Sequence, residues 1–192
     1  MGFLRDAGVL LVYLVFGSLM LILLLRLALP LTRARFKNPI CQFIYKVTNP
    51  VVGPLAQIIP PRRQLSFATL TLLVLVGLVE LCLLVLLSGV LPLTASLIVQ
   101  GTLAGLLYFV LGIAFWSIVL RAIMSFFSPD YANPAVEVVY SLTDPLLQPF
   151  RKLPPRSAPF DLSPLYAGVV IRLCMIAVVH LFGPLGTVVL PL

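Results

Sequence analysis

Three ionisable residues interrupt otherwise apolar stretches of the chain: Glu80, Arg172 and His180. A charged side chain inside such a stretch is costly unless it is paired or lines a polar path, so each is a functional-site candidate. On helices that begin at Ser66 and Pro164, Glu80 lies about 21 Å up its helix, Arg172 about 12 Å and His180 about 24 Å, at 1.5 Å per residue. Glu80 and His180 are then nearly level. Arg172 and His180 are about 80° apart around their helix, so one side of it presents both to the helix of Glu80. Two chemistries fit this placement. One is an interhelical polar clasp that satisfies buried charge and fixes helix register; the other is a proton- or ion-responsive site, for which a glutamate and a histidine are suitable groups. Arg26 and Arg121 complete the intramembrane set. They sit about 4–6 residues from the ends of their apolar runs, within snorkelling reach of headgroups or of acidic groups in the adjoining loops.

Hydrolysis and group transfer find no support. There is no nucleophile elbow, no Gly-x4-Gly-Lys phosphate loop and no His-Glu-x2-His. His180 is the single histidine, so a haem would lack a second evident ligand. Cys41, Cys82 and Cys174 are odd in number and widely spaced, which suits packing residues better than a metal or redox site. The expectation is a non-enzyme with no cofactor and no bound metal.

The elements that must position these residues follow from composition. Of 192 residues, 61% are hydrophobic and only 10% charged, with a mean hydropathy of +1.15. Soluble domains carry about 25% charged residues and disordered chains still more, so both classes are excluded. Apolar runs at 7–31, 67–93, 98–127 and 164–190 are each long enough to cross a bilayer core of about 30 Å. The first exceeds the apolar length of a signal peptide and reads as a retained span. The segment 32–66 carries Arg33, Arg35, Lys37, Lys46, Arg62 and Arg63 and no acid, whereas 128–163 sets three cations against four acids. Lys and Arg set orientation, so both long loops are expected in the cytoplasm and both termini outside. The six cations of the first loop suit anionic headgroups at about 1 kcal/mol each. That gives the basic pI of about 9.8 a nearer partner than nucleic acid, and none of the latter is expected.

Sliding the chain on itself by 95 positions aligns Tyr13 with Tyr108, Gly17 with Gly112, Arg26 with Arg121, Asn38-Pro39 with Asn133-Pro134, and Tyr45 with Tyr140. Thr48, Pro50 and Pro54 then meet Thr143, Pro145 and Pro149. Prolines and asparagines in register mark a duplication, with repeats at 1–95 and 96–192. Each repeat crosses twice, so the copies are parallel and their pseudo-two-fold axis runs along the membrane normal. Asn38-Pro39, Asn49-Pro50, Asn133-Pro134 and Asp144-Pro145 each read as a helix cap followed by a first-turn proline. The fold class is therefore all-α: a polytopic membrane protein of four transmembrane helices. Each loop is expected to hold a pair of short interfacial helices, apolar on one face.

The doubled element Asn-Pro-x5-Tyr-x2-Thr-[Asn/Asp]-Pro-x3-Pro resembles the hallmark of the YggT family of bacterial and plastid membrane proteins. In the second copy a diproline and Asp161-Leu162-Ser163-Pro164 follow; the first copy instead reads Gln64-Leu65-Ser66-Phe67. The resemblance implies a bacterial inner-membrane protein. It also implies themes of osmotic tolerance, ion uptake and, in plastid relatives, assembly of a haem-bearing subunit. These point to a non-enzymatic assembly or scaffold factor that partners other membrane proteins, with a small ion channel or transporter as the alternative. Gly101, Gly105 and Gly112 in the third span permit close helix approach, either within the chain or between copies of it.

Overall fold

The computed structural model describes residues 2–32, 37–61, 65–89, 94–126, 132–152 and 162–182. It contains α1 (Gly2–Leu31), α2 (Pro39–Ile58), α3 (Phe67–Ser88), α4 (Ala95–Phe126), α5 (Pro134–Leu147) and α6 (Ser163–Phe182), with a 3-10 turn at Phe150–Lys152 after α5. No strand occurs among the described residues. Helices α1, α3, α4 and α6 are long and apolar enough to cross a membrane. The four expected spans are thus present, and this is a membrane protein.

Local chemistry sets the helix ends. The Ser66 hydroxyl accepts the Thr69 N–H at the start of α3, and Gly89 ends that helix at φ 60°, donating its N–H to the Val85 carbonyl. Left-handed backbone there favours glycine because a Cβ would crowd the carbonyl. Asn38 and Asn133 accept the N–H groups of Ile40 and Ala135, and a proline occupies the first turn of α2 and of α5, as the sequence predicts.

The chain folds as two antiparallel hairpins, α1 against α3 and α4 against α6, joined along α3 and α4. A loop helix closes each hairpin at the same end of the bundle. In the first, Val52 of α2 is buried with Met20, Leu23, Ala68 and Leu73; in the second, Leu147 of α5 is buried with Ile118 and Ala167. Leu23 with Ile118, and Val52 with Leu147, are separated by the same 95 positions as the sequence repeat. A third cluster of Leu29, Cys41, Ile44 and Val138 joins α1, α2 and α5 across the two halves.

One expectation about the loops is corrected. Among the described residues each contains a single α-helix, followed in the second loop by the 3-10 turn, rather than two helices divided at Asn49-Pro50 or Asp144-Pro145: α2 runs through Pro50 and Pro54, and α5 through Pro145. An interior proline removes one N–H and crowds the preceding turn, but packing of Ile44 and Val52 on either side of Pro50 holds the helix together. The apolar side of α2 has two surroundings. Its predicted stripe divides, with Ile44 and Val52 facing the bundle while Phe43, Val47, Val51 and Ile58 remain exposed.

Of the three span glycines, Gly101 is placed where a Cβ would come within 2.8 Å of a Leu81 methyl. Gly112 faces Met175 of α6 at 3.9 Å by the same measure. Gly101 therefore serves close approach within the chain, whereas a Cβ at Gly112 would make only ordinary contact. Gly101→Leu should force α3 from α4 and lower stability by about 1–3 kcal/mol, the usual effect of overpacking. Reversible unfolding in mixed micelles measures it, and an unchanged midpoint would refute the close approach.

Candidate functional site

Arg26 and Arg121 do not reach out to headgroups. Arg26, near the end of α1, is buried, and its guanidinium lies 4.7 Å from the centre of the Tyr45 ring. It donates to the Thr48 hydroxyl, to the Asn49 side-chain oxygen at 3.0 Å and to the Tyr45 carbonyl at 3.5 Å. Thr48 in turn donates to the Ile44 carbonyl at 2.6 Å, which fixes its oxygen as the acceptor. Arg121 repeats the arrangement. It is 4.2 Å from the Tyr140 ring centre and donates to Thr143 at 2.8 Å, to Asp144 at 2.8 Å and to the Tyr140 carbonyl at 3.4 Å. Each arginine thus pins a loop helix to its span through a ring, a hydroxyl and a side-chain oxygen. The halves differ in one charge: neutral Asn49 stands where Asp144 also receives Arg151 at 2.9 Å. Burial pushes the Tyr45 phenol above its ordinary range, with Arg26 pulling the other way.

The two loop helices also hold each other. The side-chain amide of Asn38 donates to the Pro134 carbonyl and to the Glu137 carboxylate, both at 2.9 Å. Asn38 is buried by this contact, whereas its counterpart Asn133 stays exposed. Cys41 lies beside the tie, and burial, then the Glu137 charge, raises its thiol, as befits a packing residue.

The expected trio is not assembled. Glu80 is buried at 8% exposure between α1, α3 and α4, while Arg172 and His180 occupy exposed positions on α6. The reason is topological, since α6 packs on α4 rather than on α3. Arg172 lies 5.9 Å from the Phe115 ring of α4. Of the lipid-facing cations expected in the first loop, Lys37 and Lys46 are exposed, and Arg33, Arg35, Arg62 and Arg63 lie outside the described residues. Among the motif positions, Ser163 and Pro164 open α6, Pro149 sits in the turn after α5, and Asp161 lies outside the described residues.

Comparison with known proteins gives this geometry a family. The CCB3/YggT pattern matches twice, at residues 6–87 and 100–182. The chain belongs to the CCB3/YggT family. Relatives include an uncharacterized protein of Pseudomonas aeruginosa, 35% identical over 85% of this chain and 84% of its own. An uncharacterized protein from the proC 3′ region of Vibrio alginolyticus is 31% identical over 88% of this chain and 92% of its own. The uncharacterized protein YggT of Escherichia coli is 31% identical over 89% of this chain and 88% of its own. No solved structure matches. The paired arginine sites account for the Tyr, Thr and Asn or Asp of the element that suggested CCB3/YggT membership. Tyr, Thr and Asn or Asp stand 19, 22 and 23 positions after the span arginine in both halves, and all three contact it. The partnership of Asn38 with Glu137 carried no sequence signal, because it joins the two halves and is not itself repeated.

Proposed function

We propose that this family member is a non-enzymatic assembly or scaffold factor of the bacterial inner membrane. In this reading its long loops are cytoplasmic and its termini periplasmic. Helices α2 and α5 then form one rigid platform at the cytoplasmic surface. The observation that carries the reading is the pair of arginine anchors, which fix both loop helices to their spans with the same contacts. Such an arrangement favours presenting a fixed surface over admitting and releasing a substrate. The exposed residues Phe43, Val47, Val51 and Ile58 rest among lipid chains in this reading. Lys37 and Lys46, with Arg33, Arg35, Arg62 and Arg63, meet anionic phosphates beside them. Glu137 and Asp144 are engaged within the chain, so other membrane proteins meet the platform elsewhere. A channel or transporter for ion uptake would have used Glu80, Arg172 and His180 on one path, and no observation favours it.

The test compares membrane proteins that co-purify with the chain and with the double variant Arg26→Met, Arg121→Met, both extracted in lipid nanodiscs. A reproducible set should be recovered with the parent chain and fall about tenfold with the variant, the factor for 1.4 kcal/mol of lost affinity. Recovery of no reproducible partner, or equal recovery with both, would overturn the reading.

A further inference from the structure

Helices α1 and α4 are separated along part of their length by a cavity of about 290 Å³, with α3 as its third wall. The duplication is visible in it. Tyr13 and Gly17 face it from α1, and their 95-position counterparts Tyr108 and Gly112 face it from α4. Two polar groups break the symmetry. Glu80 enters from α3, and no ion pair reaches it among the described residues. Thr102 enters from α4; it is only 7% exposed, and its hydroxyl is buried without a hydrogen-bond partner among the described residues. A helical threonine ordinarily satisfies its hydroxyl on the carbonyl one turn back, as Thr48 and Thr143 do here. A free buried hydroxyl is costly, and a ligand group bonded to it would recover that cost. Phe109 and Trp116 extend the aromatic wall begun by the two tyrosines.

We infer that this cavity binds a small organic ammonium cation, held by Glu80 and Thr102 and covered by the aromatic rings. The volume lies at the low end of the range for small-molecule sites, about 300–1,000 Å³, which suits an amine of about ten heavy atoms. A single carboxylate among apolar walls balances one positive charge. Aromatic faces attract the same charge, most strongly where water is excluded. The N–H groups of a protonated amine can donate to a carboxylate and to a hydroxyl. A bare metal ion fits poorly, because hard cations require six or more oxygens and this lining is mostly carbon. A lipid tail would leave both polar groups unsatisfied. The inference does not rest on the scaffold reading and stands or falls separately.

Trp116 is the chain's single tryptophan, so its fluorescence reports occupancy directly. The full chain in nanodiscs is titrated with phenethylammonium chloride, and with neutral 2-phenylethanol as the isosteric control. The parent chain should show a saturable change with the ammonium and none with the alcohol. Glu80→Gln, which keeps shape but removes charge, should weaken binding about thirtyfold or more; Thr102→Val should weaken it about fivefold. Gly17→Leu provides an arm that leaves both polar groups in place. A Cβ at Gly17 meets nothing within 4 Å, so the new side chain should fill the cavity and abolish saturable binding. The inference is overturned by an unsaturable response of the parent chain, by equal affinity for the alcohol, or by Glu80→Gln or Gly17→Leu binding as the parent does.

Discussion

Replacing Arg121 by methionine should lower the stability of the fold by about 2–4 kcal/mol, because the buried Thr143 hydroxyl loses its charged donor and the Tyr140 ring its cation. Methionine restores much of the volume but none of the contacts. Gone are the charge-assisted hydrogen bond to Thr143, worth about 1.5–3 kcal/mol, the bond to Asp144, and the stacking on Tyr140. The hydrogen bond to Asp144 contributes the lesser share. Its carboxylate side chain is 52% exposed and shared with Arg151, so solvent screens it and a second cation remains. Asp144→Asn should therefore cost less than about 1 kcal/mol, and the first half already carries Asn49 at this place. Arg121→Lys should fall between the two, because an ammonium cannot stack on the ring while forking to a hydroxyl and a carboxylate. Reversible unfolding in mixed micelles gives the order Arg121→Met, Arg121→Lys, Asp144→Asn, and amide exchange should accelerate first along α5. Were Asp144→Asn as damaging as Arg121→Met, the anchor would be an ion pair and not the ring-and-hydroxyl site described.

How much of this was legible beforehand differs by residue. The four spans follow from apolar length, because in a bilayer a run of about 20 residues has few alternatives to a helix. The anchor residues were legible as a repeated pattern but not as a site. Arg26 near a span end fits snorkelling as well as it fits Tyr45 and Thr48, and only the return of α2 beneath α1 decides between them. Asn49-Pro50 looks like a helix start because the local signal is the same at a true start, Asn38-Pro39. Packing of the flanking Ile44 and Val52 overrides it. Glu80, Arg172 and His180 were placed at plausible heights, yet height along a helix says nothing about which helices are neighbours. The pairing of α6 with α4 removed the cations from Glu80 and left its carboxylate in the cavity with Thr102.

The same distinction between repeated and unrepeated contacts yields a second large effect at Asn38. As a helix cap it equals Asn133, and aspartate caps a helix about as well as asparagine does. Asn133→Asp should therefore leave stability within about 0.5 kcal/mol. Asn38→Asp keeps the cap but converts the donor of two hydrogen bonds into an acceptor. It sets a second carboxylate against Glu137 where the amide now lies at 2.9 Å, and turns oxygen toward the Pro134 carbonyl. The expected loss is about 2–3 kcal/mol, part from the missing donors and part from like charge at a buried position. Adding Glu137→Gln to Asn38→Asp separates the parts. Glutamine can donate to the new carboxylate, so the pair should recover about 1–2 kcal/mol of coupling, within the range for residues in direct contact. Glu137→Gln alone, in which Asn38 still has an amide oxygen to donate to, supplies the fourth corner of the comparison. If Asn38→Asp and Asn133→Asp were equally mild, the polar tie would contribute nothing, and the joint between the two loop helices would reduce to the apolar contact of Cys41 and Ile44 with Val138.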